Sequence, residues 1–241
     1  LVGSEMCIRD RDYALMGKAM PKRVAQYRTD LYKEMGVNAV RCSHYPHTRA
    51  LMDAYDEHGF VVMAETRWFS DEPEAMRQLE TLIKLERNRP SVVLWSVGNE
   101  EPTHADARGK RIAQRMFARI RQLDPTRPLT TVVCHDPVNA PVNAYCDVLC
   151  MNYNLHLYDE LHAKYPDKPF VAGELCATAT TRGWYADNMV SRGRYSAYDH
   201  TSAANFLARE ETWKFLMARD WVTGGFQWDA VEHRGEGRWP R

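Results

Sequence analysis

The chain has 241 residues, 44% of them hydrophobic and 27% charged, with 32 basic and 32 acidic side chains and no formal net charge. That balance gives no electrostatic reason to expect nucleic acid or an anionic membrane as a partner, and no apolar run is long enough to span a bilayer. Length and composition fit one large α/β domain or two small ones.

Residues 1–11 (LVGSEMCIRDR) have neither periodicity nor the basic, apolar and small-residue layout of a signal peptide. They resemble an artefact of environmental gene fragments, so two units are expected: a non-native segment, 1–11, and a domain over 12–241. From Pro21 helix and strand alternate. Val24, Tyr27, Leu31 and Met35 give residues 21–35 a helical apolar spacing, and Gly36 ends the helix. Residues 37–43 read as a strand, 48–58 as a helix closed by Gly59, and 60–65 as the next strand. A helix over 71–87 leads to the strand from Val92, and a basic helix over 105–123 stops at Asp124-Pro125. Strands follow at 129–134 and 148–153, a short helix at 157–163, and a strand ending in Glu174. A loop over 177–200 precedes a helix over 202–220 and a last strand over 222–229. Seven strands separated by helices predict a parallel sheet with right-handed crossovers. The expected fold is an α/β (β/α)8 TIM barrel, incomplete, with the first strand and last helix missing.

Two strands carry the chemistry. Val92-Val93-Leu94-Trp95-Ser96-Val97-Gly98 is a dry run that stops at Asn99-Glu100, and Pro169-Phe170-Val171-Ala172-Gly173 stops at Glu174. A lone strand-end Glu is commonly a solvated cap or ion-pair partner. Two on one parallel sheet present paired carboxylates at the same rim, the requirement for cleaving a glycosidic bond.

The motifs around these strands resemble glycoside hydrolase family 2, the β-galactosidase family. Residues 38–46 (NAVRCSHYP) resemble its second barrel strand, and 88–101 (NRPSVVLWSVGNEE) its acid/base signature. Gly173-Glu174 resembles its nucleophile site and 224–229 (GGFQWD) its eighth strand. The resemblance implies a retaining exo-β-glycosidase, β-galactosidase-like, with β-glucuronidase or β-mannosidase activity, or an inactive carbohydrate-binding barrel, as alternatives. Glu174 would attack the anomeric carbon while Glu100 protonates the leaving oxygen and then activates water. Hydrogen bonds and an arginine are expected to favour the ionised form of Glu174. Asn99 would bond the sugar 2-hydroxyl, His44 the substrate and transition state, Tyr153 the nucleophile, and Trp228 would form the sugar platform. Arg41 is assigned to the substrate site too, with a buried ion pair to a rim carboxylate as the competing reading. Glu65 is a supporting polar residue or a salt-bridge partner of Arg41 or Arg67.

No cofactor and no metal are expected. His44 and His47 are separated by Pro46 and lack a third ligand. The third strand ends in Ala64-Glu65 where relatives often have two acids, and 66–69 (TRWF) lacks the acidic and histidine cluster of the family's magnesium sites. After Trp228 the stretch 232–237 (EHRGEG) departs from the β-galactosidase pattern, whereas the loop 178–185 (TATTRGWY) looks β-galactosidase-like. The six cysteines show no CxxC or histidine-spaced pattern and read as small buried hydrophobes. The implied partner is a carbohydrate, with the family's β-sandwich domains missing and room for homo-oligomerisation of the full-length protein. A bacterial-like protein, cytoplasmic or periplasmic, is expected, the missing N-terminus leaving that choice open.

Overall fold

The computed structural model describes residues 2–6, 20–177, 181, 183–186, 188–189, 194–198 and 207–228. Eight parallel strands close into a barrel in chain order: β1 (Val2–Met6), β2 (Ala39–Cys42), β3 (Val61–Glu65), β4 (Val92–Asn99), β5 (Leu129–Val133), β6 (Leu149–Asn152), β7 (Phe170–Leu175) and β8 (Val222–Gln227). Helices α1 (Lys22–Glu34), α2 (Arg49–His58), α3 (Pro73–Glu86), α4 (Ala107–Leu123), α5 (Tyr158–Lys164) and α6 (Arg209–Met217) lie between them.

Local chemistry sets the boundaries. Thr48 caps α2 by accepting from the Leu51 amide at 3.4 Å, and Gly59 ends it with φ of 66°. The Asp106 carboxylate accepts from the amides of Arg108 and Gly109 at the start of α4, at 2.8 and 2.9 Å. At the other end Asp124 accepts from the Trp95 indole at 2.9 Å and pairs with Arg127, tying α4 to β4. Asp124 is buried; desolvation pushes its carboxyl up, but the hydrogen bonds from Thr126, Trp95 and Arg127 outweigh it and hold it at about 2.

The core has two layers. One packs the barrel's outer face against the helices, with Val40, Val62, Trp95 and Leu129 on one side and Tyr55, Ile83 and Met116 on the other; a second part gathers Tyr158, Phe170, Leu175 and Leu216. The other fills the barrel itself with Ala39, Met63, Leu94, Val132, Cys150, Val171 and Phe226. Alternation along each strand thus divides apolar residues between the two faces and leaves the C-terminal rim for polar groups.

Three expectations change. The seven strands read from the sequence are β2–β8, but the first barrel position is not empty: Val2–Met6, set aside as non-native, pairs in parallel with both β2 and β8. An open barrel presents two unpaired strand edges, and backbone pairing onto them does not depend on side-chain identity. The spacing in α1 also misleads, because Tyr27, Leu31 and Met35 are exposed while Ala25, Arg28, Thr29 and Tyr32 are buried. The small Ala25 and Thr29 permit close approach to the barrel, and Thr29 satisfies its hydroxyl on the Gln26 carbonyl at 2.7 Å. The last helix before β8 starts at Arg209, after the extended Ala208. Residues 229–241, which hold the 232–237 stretch and follow the last strand where the final helix is expected to be missing, lie outside the described residues, as do Cys7 and residues 178–180 and 182 of the 178–185 loop. Cys42, Cys146, Cys150 and Cys176 are buried and Cys134 is half-buried.

Candidate active site

Arg41 organises the barrel mouth. Strand β2 carries it into the interior, and its guanidinium has no exposed surface. Its Nε donates to Glu65 Oε2 at 3.0 Å and its Nη2 to Glu65 Oε1 at 3.1 Å, a bidentate fork across to the end of β3. Nη1 donates to Glu174 Oε1 at 3.1 Å on β7, and Nη2 to Asn99 Oδ1 at 2.6 Å on β4. Four strands therefore meet on one buried cation. Arg41 and Glu65 form a buried ion pair, with neither side chain exposed.

Asn152 is the second hub. From the end of β6 its Nδ2 donates to Glu100 Oε1 at 2.9 Å and to Asn99 Oδ1 at 3.0 Å. A chain of hydrogen bonds thus runs from Glu100 through Asn152, Asn99 and Arg41 to Glu174. The Tyr153 hydroxyl donates to Glu174 Oε2 at 2.5 Å. His44 Nδ1 lies 3.0 Å from Glu65 Oε1 and its Nε2 3.7 Å from Glu174 Oε1. The imidazole stacks on Trp228, with centroids 5.4 Å apart and planes 14° apart. The seven residues singled out in the sequence, Arg41, His44, Asn99, Glu100, Tyr153, Glu174 and Trp228, all lie at the C-terminal rim, where barrel chemistry sits. Glu100 and Asn99 are half-buried, while Glu174 is buried.

Sequence reasoning passed over Asn152 and Ser96, whose hydroxyl donates to Glu65 Oε2 at 2.8 Å. The available signal was their placing: Asn152 immediately precedes Tyr153, and Ser96 alternates with the outward Trp95.

The electrostatics separate the two buried carboxylates. Burial drives Glu65 up, but Arg41, His44 and Ser96 together outweigh it and hold the group below the usual carboxylate range. For Glu174 burial prevails over Arg41 and His44, the Glu100 carboxylate adds to the upward push, and Tyr153 opposes it. Arg41 and the Tyr153 hydrogen bond favour the ionised form of Glu174, but burial and the Glu100 carboxylate outweigh them. Three residues that follow or close a rim strand hold left-handed backbone: Glu100 at φ 54°, Tyr153 at 50° and Cys176 at 57°. Such conformations cost a non-glycine residue on the order of 1 kcal/mol and gather at functional sites. Among the described residues no group of three His, Cys, Asp or Glu side chains could hold a metal ion. His47 instead faces the Tyr55 hydroxyl at 3.3 Å.

The sequence model of the glycosyl hydrolases family 2, TIM barrel domain, matches residues 8–72 and 68–222. A β-galactosidase of Bacteroides ovatus, BoGH2A, is 27% identical over 288 residues, covering 93% of this chain and 34% of that protein. A β-glucuronidase of Bacteroides fragilis is also 27% identical, over 261 residues, covering 96% of this chain and 37% of that protein. A solved family 2 glycosyl hydrolase from Bacteroides cellulosilyticus DSM 14838 superposes with a TM-score of 0.75 at 28% identity, covering 95% of this chain and 28% of that one. The chain spans about a third of the length of the curated relatives it matches.

Proposed function

The chain belongs to glycosyl hydrolase family 2, and from that membership we propose that it is a retaining exo-β-glycosidase acting on terminal β-linked sugars. The hydrogen-bond chain from Glu100 to Glu174 across the barrel mouth carries this reading, because it orients an acid and a nucleophile from β4 and β7 toward one space. Glu174 attacks the anomeric carbon and Glu100 gives its proton to the departing oxygen; the glycosyl-enzyme ester is then cleaved by water that Glu100 deprotonates. Arg41 acts as a positioning residue for both Glu174 and Asn99. Asn99 spends its Oδ1 on Arg41 and Asn152, which turns its Nδ2 donor toward a sugar hydroxyl. His44 and Trp228 form the wall against which the ring rests. The carbohydrate is the only ligand this chemistry calls for, with no cofactor or metal.

Similarity to the B. ovatus enzyme over almost the whole chain supports a β-galactoside as the substrate. The equal identity to the B. fragilis enzyme supports a β-glucuronide as the second reading. The test pairs 4-nitrophenyl β-galactoside and β-glucuronide with proton NMR of the first-released anomer. Release of the β-anomer fits retention; the α-anomer first would replace double displacement by inversion. Glu174→Gln abolishes turnover, and Glu100→Ala is partly rescued by azide on the activated substrate. Full activity in either variant sinks the assignment.

A further inference from the structure

The segment that carries β3 onward across the mouth, Thr66–Ser70, takes no part in the chemistry above. Its backbone keeps beside β4, with the Thr66 amide donating to the Ser96 carbonyl at 3.1 Å. Phe69 then packs so tightly on Gly98 that a Cβ added there would stand 2.9 Å from the Phe69 Cβ. The same ring meets the buried His104 edge-on, with centroids 4.5 Å apart. His104 is fixed in turn by the Thr131 hydroxyl at 3.1 Å, and that hydroxyl lies 3.2 Å from the Gly98 carbonyl. Phe69 is thereby pinned to the strand that ends in Asn99-Glu100.

Trp68, next to this anchor, remains 52% exposed. Scattered exposed hydrophobics are ordinary on a protein surface. This one differs in being fixed by a buried neighbour that packs on the strand ending in Asn99, and in its charged company. The Arg67 guanidinium sits 4.9 Å over the indole, and its charge acts on Glu101, the half-buried carboxylate that follows Glu100. Among the described residues, the segment that follows the neighbouring strand β5 offers Cys134, His135 and Asp136.

We infer that Trp68, with Arg67 and Glu101, forms the leaving-group subsite: the indole stacks on the apolar face of the second ring of a β-linked disaccharide, and Arg67 and Glu101 take that ring's hydroxyls. The inference rests on Glu100 as acid/base, because the group it protonates must depart on the β4 side of the mouth. The ring under attack occupies the other side, between Glu174, His44 and Trp228. A flat aromatic suits this task, since sugars present C–H faces that gain from ring contact while their equatorial hydroxyls seek charged partners.

The full chain and its Trp68→Ala variant are compared on two substrates with the same glycone. One is lactose, and the other is β-galactosyl fluoride, which has no leaving-group ring; if the glycone is glucuronate, the corresponding uronides are used. The ratio of kcat/KM for disaccharide over fluoride should fall about tenfold in the variant, the size of one lost stacking contact, and Trp68→Phe should restore most of it. An unchanged ratio, including an equal fall on both substrates, overturns the subsite. If the wild-type chain turns over neither substrate, the proposed activity fails, and calorimetric titration with lactose and with galactose decides the subsite alone. Loss of a preference for the disaccharide on Trp68→Ala supports it, and no preference in the wild type, or the same preference in both proteins, overturns it.

Discussion

At the scale of single residues, the mouth is governed by how one buried guanidinium is divided. Glu65 takes the bidentate share of Arg41, so Glu174 keeps one arm of it and relies on Tyr153 for its second hydrogen bond. The Tyr153 hydroxyl favours the ionised form of Glu174, so Tyr153→Phe raises its pKa further above the usual carboxylate range. In the proposed mechanism Glu174 has to be ionised to attack. The acidic limb of the kcat/KM profile should therefore move to higher pH in the variant, with activity on the acid side down by about tenfold and the basic limb unmoved. A displaced basic limb with a fixed acidic one would contradict the pairing. The same reasoning shows what the sequence could reveal here. Glu100 and Glu174 were legible because each interrupts an apolar run. The hub role of Asn152 was not, because its two acceptors come from β4, and no spacing within one strand encodes a contact across the barrel.

At the scale of the elements, strands β2–β8 are legible in the sequence to within a residue or two at each end, and the helices less so. A strand buried on both faces is a simple apolar run, as β7 is, all six of its residues being buried. A helix shows its face only relative to what it packs on, and α1 turns Ala25, Arg28, Thr29 and Tyr32 inward in place of Tyr27, Leu31 and Met35. Glycines in the strands mark where the site tolerates no addition. A Cβ at Gly173 would stand 2.4 Å from Asn152 Oδ1 and 2.7 Å from Val132 Cγ1. Gly173→Ala should push Asn152 off both Glu100 and Asn99, lowering kcat/KM on the order of a hundredfold and unfolding stability by about 1–3 kcal/mol. Chemical denaturation read beside the kinetics checks both, and a variant with wild-type kinetics would remove Asn152 from the positioning network.

At the scale of the whole molecule, closure is the open question the sequence could not pose. Counting helix–strand repeats from Pro21 yields seven strands, and only the three-dimensional arrangement brings residues 2–6 between β8 and β2. Pairing through backbone groups has no side-chain signature, so nothing in that segment's composition announces it. Deleting residues 1–11 exposes two parallel strand edges. The shortened chain should lose cooperative melting and self-associate in light scattering, whereas an unchanged melt and a monodisperse monomer would mean the edges are covered by other means.

The left-handed backbone at Glu100 has an evolutionary edge. The conformation its peptide adopts, φ of 54°, is one that glycine and asparagine enter freely and glutamate does not. Mutational drift that ignored turnover would replace this glutamate, and Glu100→Gly should melt higher than the wild type by an amount on the order of 1 kcal/mol while losing its acid/base. Under the proposed mechanism the glutamate holds this position against the chain's own conformational preference, and a screen for thermostable variants run without an activity assay would be drawn to discard it.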